Sequence, residues 1–444
     1  MLINKKLYKF IIFSFFILIF MISKAEANME IKKFLTKNKV EVFYVNSSTI
    51  PMVDIQVIFD AGSNKDNELN GLSNLTHGLI NEGTKNKKYD EISYELESNG
   101  AIFSASSYKD KSIISLRSLT QENYFKNSVK IFTEILSSAN FPKEQFEIQK
   151  NQLISFIKEG ATDPSDVSIN LFYKSLYGKH PYANPNEGYV SSIERISRKD
   201  VMNFYNNYII RQNAKIVIVG SLKFEEIKKL AEKISISLNS STNKNNQVHK
   251  GEIQSPSKKN FFKKLNSEQS HIYIGQHTIK RGDNRNFPLY VANYIFGGGG
   301  FSSKLMKEIR VKRGYAYSVY SYIYPLKSVG PMAINLETKN SQAKDAINTI
   351  HEMLNQYISK GPTKKEVEDA KNAIVNKFPL RVSSNKDILN YISMIAYYDL
   401  PLDYLVNFEK NIQSVTPKNI KDALKEVLLD ENFITVVVGN ENPF

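Results

Sequence analysis

The chain has 444 residues, of which 41% are hydrophobic and 23% charged, a composition that excludes disorder as its default state and leaves room for roughly two to four domains. It contains no Cys, which excludes disulfides, thiolate catalysis and Cys-ligated zinc, so any metal site must be drawn from its 6 His and its carboxylates. The formal charge is +14. No compact basic block interleaved with aromatics accompanies it, so nucleic acid is excluded as the expected partner.

The first 27 residues read as an export signal. Lys5, Lys6 and Lys9 form a positive start, Phe10 to Ile22 is apolar except for Ser14, and Ala25-Glu26-Ala27 gives a small-x-small cleavage site. The apolar run is shorter than the roughly 20 residues of a membrane span. The expected mature chain begins near Asn28 and works outside the cytoplasm, most simply in a periplasm, with membrane contact only if the signal is retained. No later apolar segment is long enough to span.

Val40 to Val45 and Met52 to Phe59 read as strands joined by a short polar turn, and Leu69 to Asn81 as a helix with Leu72, Leu75, Leu79 and Ile80 on one face. Residues 235–259 are rich in Ser, Asn, Lys and Gln and lack apolar periodicity, which makes them the expected linker between a half at 28–234 and a half at 260–444. In the second half, His271 to His277 reads as a strand and Leu289 to Phe296 as a helix entering glycines.

The halves end alike. Ile196 to Gly220 aligns without a gap on Val415 to Gly439, at an offset of 219 at both ends (415 minus 196, 439 minus 220). In each copy a Ser or Thr suited to a helix N-cap precedes an amphipathic stretch, and a β-branched strand closed by Gly follows. Internal duplication follows from this match. The mixture of elements without strict βαβ alternation predicts an α+β fold: two homologous domains, each a largely antiparallel sheet backed by helices.

Residues 61–101 carry Gly62-Ser63, Gly71, Ser73, Gly83-Thr84 and Gly100-Ala101 at spacings that resemble the amino-terminal signature of the insulinase-like (pitrilysin) zinc peptidases. The resemblance implies two domains facing each other across a cavity. In that family the motif H-x-x-E-H sets two His one helical turn apart to bind Zn²⁺, and the Glu activates a water. Here Asn74, His77 and Gly78 stand at those three places. The family's third ligand, a Glu on a later helix, falls at Phe156 or Ile157, and nearby Glu159 has no pair of His to complete. Leu176-Tyr177-Gly178-Lys179-His180-Pro181-Tyr182 also resembles a family segment, with His180 expected in a structural role.

The run from Phe296 through four glycines to Ser318 lacks the G-x-x-x-x-G-K-[ST] pattern of a phosphate cradle. It resembles the family's second-domain signature. Read from the residues alone, Arg310 is a surface ion-pair partner and Tyr317 fills a strand face. The resemblance instead implies that they hold a substrate near the zinc, Arg310 gripping a carbonyl or carboxylate and Tyr317 donating to the oxyanion.

Taken together, the expectation is a non-catalytic, substrate-binding subunit with no cofactor of its own. It would pair with a zinc-bearing subunit of the same family, supply Arg310 and Tyr317, and act on unfolded peptides or short polypeptides held by strand addition. The rival expectation is a proteolytically inert peptide-binding or scaffold protein of the same fold.

Overall fold

The computed structural model describes residues 30–240 and 253–444; the expected export signal and the middle of the expected linker lie outside them. The first half comprises β1 (Lys32–Leu35), β2 (Glu41–Asn46), β3 (Met52–Phe59), α1 (Leu72–Gly78), α2 (Tyr89–Ser98), the hairpin β4 (Ile102–Ser107) and β5 (Ser112–Leu119), α3 (Glu122–Ser138), α4 (Lys143–Gly160), α5 (Pro164–Tyr177), α6 (Val190–Arg195), α7 (Arg198–Tyr208), β6 (Ala214–Gly220) and α8 (Phe224–Ser237). The second comprises β7 (Asn260–Lys264), β8 (Gln269–His277), α9 (Asn286–Asn293), β9 (Ala316–Ile323), β10 (Pro331–Lys339), α10 (Ala343–Lys360), α11 (Lys364–Lys377), α12 (Asn385–Tyr397), α13 (Phe408–Gln413), α14 (Pro417–Val427) and β11 (Ile434–Gly439). None of the described helices is long and apolar enough to cross a membrane.

Among the described residues the strands form two sheets, ordered β1-β2-β6-β3-β5-β4 and β7-β11-β8-β10-β9. Without β1, the first order is the second. In both, the last strand of the half enters between two earlier ones, parallel to the outer (β6 to β2, β11 to β7) and antiparallel to the inner (β6 to β3, β11 to β8). The short polar turn expected between β2 and β3 is present at 47–51, but the two strands do not pair, because β6 lies between them. Ser197 and Thr416 cap α7 and α14 as the repeat requires, each side-chain oxygen accepting a backbone N–H three residues on.

Helix α1 is shorter than its hydrophobic pattern suggested. Gly71 holds a left-handed φ of 94° immediately before it, and the Asp66 carboxylate accepts the N–H groups of Gly71 and Ser73 at 2.8 and 2.7 Å, which fixes its start at Leu72. Helix α9 continues beyond Asn293 as a π-helical turn, Tyr294–Gly298.

Each sheet packs its own helices on one face. The β3 side chains Val53, Ile55, Val57 and Phe59 join that core in the first half, as do Ile272, Ile274 and Ile334 in the second. The other face is covered by a helix lent from the opposite half. Helix α5 lies on sheet two, where Phe172 stacks on Tyr273 with centroids 5.3 Å apart and Leu176 and Tyr177 join Ile434 and Val436. Helix α12 lies on sheet one, where Ser393 Oγ donates to Gln56 Oε1 and Lys215 Nζ donates to the Ala396 carbonyl at 2.7 Å. The offset of 219 carries 164–177 to 383–396, so the two lent helices are themselves equivalent copies.

Phe172 is fully buried between the halves. Phe172→Ala should cost about 3–5 kcal/mol, measured by urea unfolding. It should lower a single calorimetric transition, because the residue belongs to the packing of both halves; loss of one half while the other keeps its melting temperature would contradict the exchange.

Candidate functional site

At the degenerate motif turn, α1 sets Asn74 half-buried, His77 only 1% exposed and Gly78 at the surface. His77 Nδ1–H donates to the Ser73 carbonyl at 2.7 Å, which leaves Nε2 as the ring's lone pair. That nitrogen is buried without a partner, and the ring meets Phe204 edge-on at 6.5 Å. Burial pushes the imidazole down to about 4, only partly offset by the bond to Ser73.

These groups do not fit a zinc ion. The one imidazole points into the core, an amide stands at the first ligand place and a glycine at the second. At the third, Phe156 is 58% exposed and Ile157 leans on the first-half core. Among the described residues, no three His, Cys, Asp or Glu side chains converge as a metal would require.

Arg310 and Tyr317 come together in the second half. Arg310 sits on a π-helical turn, Met306–Lys312, and Gly314, with φ of 65°, swings the chain into β9. Tyr317 lies on β9, the edge strand of its sheet, and is 84% exposed. The Arg310 guanidinium is flanked by two rings, Phe301 at 4.7 Å and Tyr317 at 4.6 Å. The nearest carboxylate in sequence, Glu308, is taken by Arg313 at 2.8 Å and Lys312 at 3.2 Å. Among the described residues Arg310 has no carboxylate partner. Its flanked faces leave the N–H rim as the side open to a ligand, the geometry that meets a carbonyl or carboxylate oxygen in plane. No hydrogen bond, ion pair or ring contact links this pair to the α1 turn, which lies in the other half.

Comparison with known proteins agrees with this layout. The family described as insulinase (peptidase family M16) matches residues 41–188, and its companion, the peptidase M16 inactive domain, matches residues 195–374. The chain belongs to peptidase family M16. It is 25% identical over 409 residues to a Helicobacter pylori protein named non-peptidase homolog YmxG, covering 92% of this chain and 93% of that one. It is 26% identical over 361 residues to a Bacillus subtilis protein named uncharacterized zinc protease YmxG, covering 80% of this chain and 85% of that one. A crystal structure described as the peptidase M16 inactive domain from Pseudomonas fluorescens superposes with a TM-score of 0.86 at 29% identity, covering 93% of this chain and 98% of that one. The chain is thus an M16 member whose own motif turn lacks the donors for zinc.

His180 serves the structure of the first half. Its Nδ1 accepts the Tyr182 N–H at 3.2 Å, capping the turn Pro181–Ala183, and its ring packs 4.4 Å from Tyr182. Sequence reasoning missed Phe301 as the second ring on Arg310. Its place between a Gly run and a Ser pair gave no period to read. It also missed the hairpin turn at 108–111, whose Tyr-Lys-Asp-Lys composition reads as an ordinary polar loop.

The buried His77 has a pH signature. Below pH 6.5 the unfolded chain takes up a proton that the folded chain refuses until about pH 4. The stability tied to this group is therefore complete above 6.5 and is lost as pH falls towards 4, at about 1.4 kcal/mol per unit. Urea unfolding should show that His77→Gln removes about 2 kcal/mol of the loss otherwise seen between pH 7 and pH 5; an unchanged slope would place the ring in water.

Proposed function

We propose that this chain is the non-catalytic, substrate-binding subunit of an exported heteromeric M16 peptidase, and that it presents Arg310 and Tyr317 to a zinc site carried by a partner of the same family. The observation that carries this reading is the Arg310 cluster: a guanidinium on a helical turn, aligned by two rings, one of them on the exposed edge strand β9, and without a carboxylate among the described residues. The α1 turn, lacking zinc donors, supports assigning the hydrolytic metal to another chain. Export rests on the basic start, apolar run and small-x-small site of residues 1–27.

In this reading an unfolded peptide or short polypeptide would be held by its backbone, Arg310 would take a carbonyl or carboxylate oxygen through paired N–H donors, and the Tyr317 hydroxyl would donate to the scissile carbonyl oxygen, the partner's zinc supplying the activation of water. The second reading, a proteolytically inert peptide-binding or scaffold protein, is favoured by the name of the Helicobacter pylori relative, non-peptidase homolog.

Co-purification with a zinc-motif-bearing M16 subunit from the same organism separates the two. Peptide hydrolysis should require both chains, and Arg310→Ala should lower kcat/KM by about 100-fold while leaving the complex intact by size-exclusion chromatography. Full activity of the partner alone, or of the Arg310→Ala complex, would favour the scaffold reading. Stoichiometric zinc with hydrolysis by this chain alone would defeat both.

A further inference from the structure

We propose that the pocket beneath the β4–β5 hairpin turn binds a carboxylate, with Lys111 as its counter-ion, and so anchors an extended peptide lying in the adjoining cleft over β4 and β5. This rests on the peptide-binding reading above and adds an anchor distinct from Arg310.

The turn between β4 and β5 inserts Tyr108, Lys109, Asp110 and Lys111 between the two halves. The pocket there has a volume of about 200 Å³, and its walls include Tyr108, Lys111, Tyr324, Asn390 and Tyr398. The Lys111 ammonium lies 5.4 Å from the Tyr397 ring centroid and 5.7 Å from that of Tyr398, both on the lent helix α12 or at its end. Among the described residues it has no hydrogen-bonded acceptor and no ion pair.

Asp110 also lines the pocket and its charge favours the Lys111 ammonium, but it makes no hydrogen bond or ion pair with it. Its Oδ1 accepts the Tyr182 hydroxyl, and its Oδ2 accepts the Lys327 N–H at 2.8 Å and the Tyr398 hydroxyl at 3.0 Å. A second cation stands nearby. Arg281 rests on the same Tyr398 ring at 5.5 Å, and its Nε is buried with no acceptor. Burial, and then the charge of Arg281, depress the Lys111 ammonium to about 8. Lys109, which also lines the pocket, gives its ammonium to the Asn184 carbonyl and has no acidic partner in hydrogen-bond contact. The one carboxyl lining the pocket, that of Asp110, is spent on three other donors, and cations held without a hydrogen-bonded acid are costly unless a further anion joins them.

The shape of the surroundings indicates what carries that anion. The pocket shares Tyr108, Ile113 and Asn390 with a cleft of about 380 Å³ between sheet one and α12, whose walls include Ile102, Ser104, Ser106 and Ser115. That cleft is neutral, apart from Asp54 paired with Arg117 and the exposed Lys386 at its rim. It runs along β4, the edge strand of its sheet. An extended backbone fits a neutral cleft beside an unpaired strand edge. A carboxylate at the inner end of that chain would come from its C-terminus or from an acidic side chain.

The test is fluorescence anisotropy on the purified chain with three versions of one labelled decapeptide: free C-terminal acid, C-terminal amide, and amide with Glu as the last residue. The free acid should bind about tenfold more tightly than the plain amide. Lys111→Gln should erase that difference and Lys111→Arg should preserve it, which separates loss of charge from misfolding. Tight binding of the Glu amide, abolished by Lys111→Gln, assigns the carboxylate to a side chain; weak binding of it assigns the carboxylate to the terminus. Equal affinity for the free acid, the Glu amide and the plain amide, or a difference that survives Lys111→Gln, overturns the carboxylate site and leaves peptide binding intact. No binding of any of the three peptides overturns both.

Discussion

The central strands of both sheets are covered on both faces, and that constraint shapes everything else. Strands β3, β6 and β11 are buried along almost their whole length, so a single layer of helices would leave one face of each sheet in water, apolar in the second sheet (Tyr273, Ile434, Val436) and mixed in the first (Gln56, Lys215). Each half resolves this by lending one helix: α5 covers the second sheet and α12 the first. The halves therefore do not close as separate domains that happen to touch. Each completes the other's core, which makes the linker between them incidental to how they are held.

The polar groups at this junction set its register. Asp60 and Asp110, both from the first half, are met by donors from both halves. The Tyr397 hydroxyl from α12 lies 2.9 Å from Asp60 Oδ1 and 2.7 Å from the Asp110 carbonyl, which share its one proton. Lys65 of the first half and Lys327 of the second reach Asp60 at 3.2 and 3.3 Å. Burial pushes the Asp110 carboxyl up, against the pull of Tyr182, the Lys327 N–H and Tyr398. Apolar packing between α5 and sheet two tolerates small slides; a buried carboxylate with three donors does not. This is how a largely tyrosine-lined interface can hold one alignment of two similar halves.

Much of this was legible in the sequence, and the reasons are specific. The unbroken apolar runs IVIV at 216–219 and VVV at 436–438 signal strands covered on both sides, since a half-exposed strand would alternate. The ungapped repeat located both insertion strands and both capped helices, because a cap and a β-branched strand leave residue-level marks. The insertion of β6 between β2 and β3 left none: the turn joining those strands is polar and short, as a hairpin turn would be. The exchange of α5 and α12 was equally silent. Its interactions are long-range, joining Phe172 to Tyr273 and Gln56 to Ser393, and no local period records which half a helix will cover. At the site, the loss of zinc donors at Asn74 and Gly78 could be read directly, whereas the inward turn of His77 and the second ring on Arg310 required coordinates.

The two halves of the candidate site differ in what holds them in place. At the α1 turn the backbone is well built: Asp66 caps it, Ser73 Oγ donates to the Ala61 carbonyl at 2.7 Å, and Gly78 has open space around its α-carbon. Only the side chains lack metal chemistry, and they lack it at all three ligand places: Asn74, Gly78 and the apolar pair Phe156 and Ile157. One substitution could not restore a tetrahedral set of donors, because the third ligand comes from a different helix. The Arg310 cluster is the reverse. An exposed cation–π contact is worth about 0.5–1 kcal/mol, which is little return for holding Phe301 and Tyr317 in water at 70% and 84% exposure. Stability alone does not account for two rings aligned on an arginine that has no acid to meet. The binding role proposed above would, because a guanidinium held between rings has surrendered its freedom before a ligand arrives, and less affinity is then lost to ordering it.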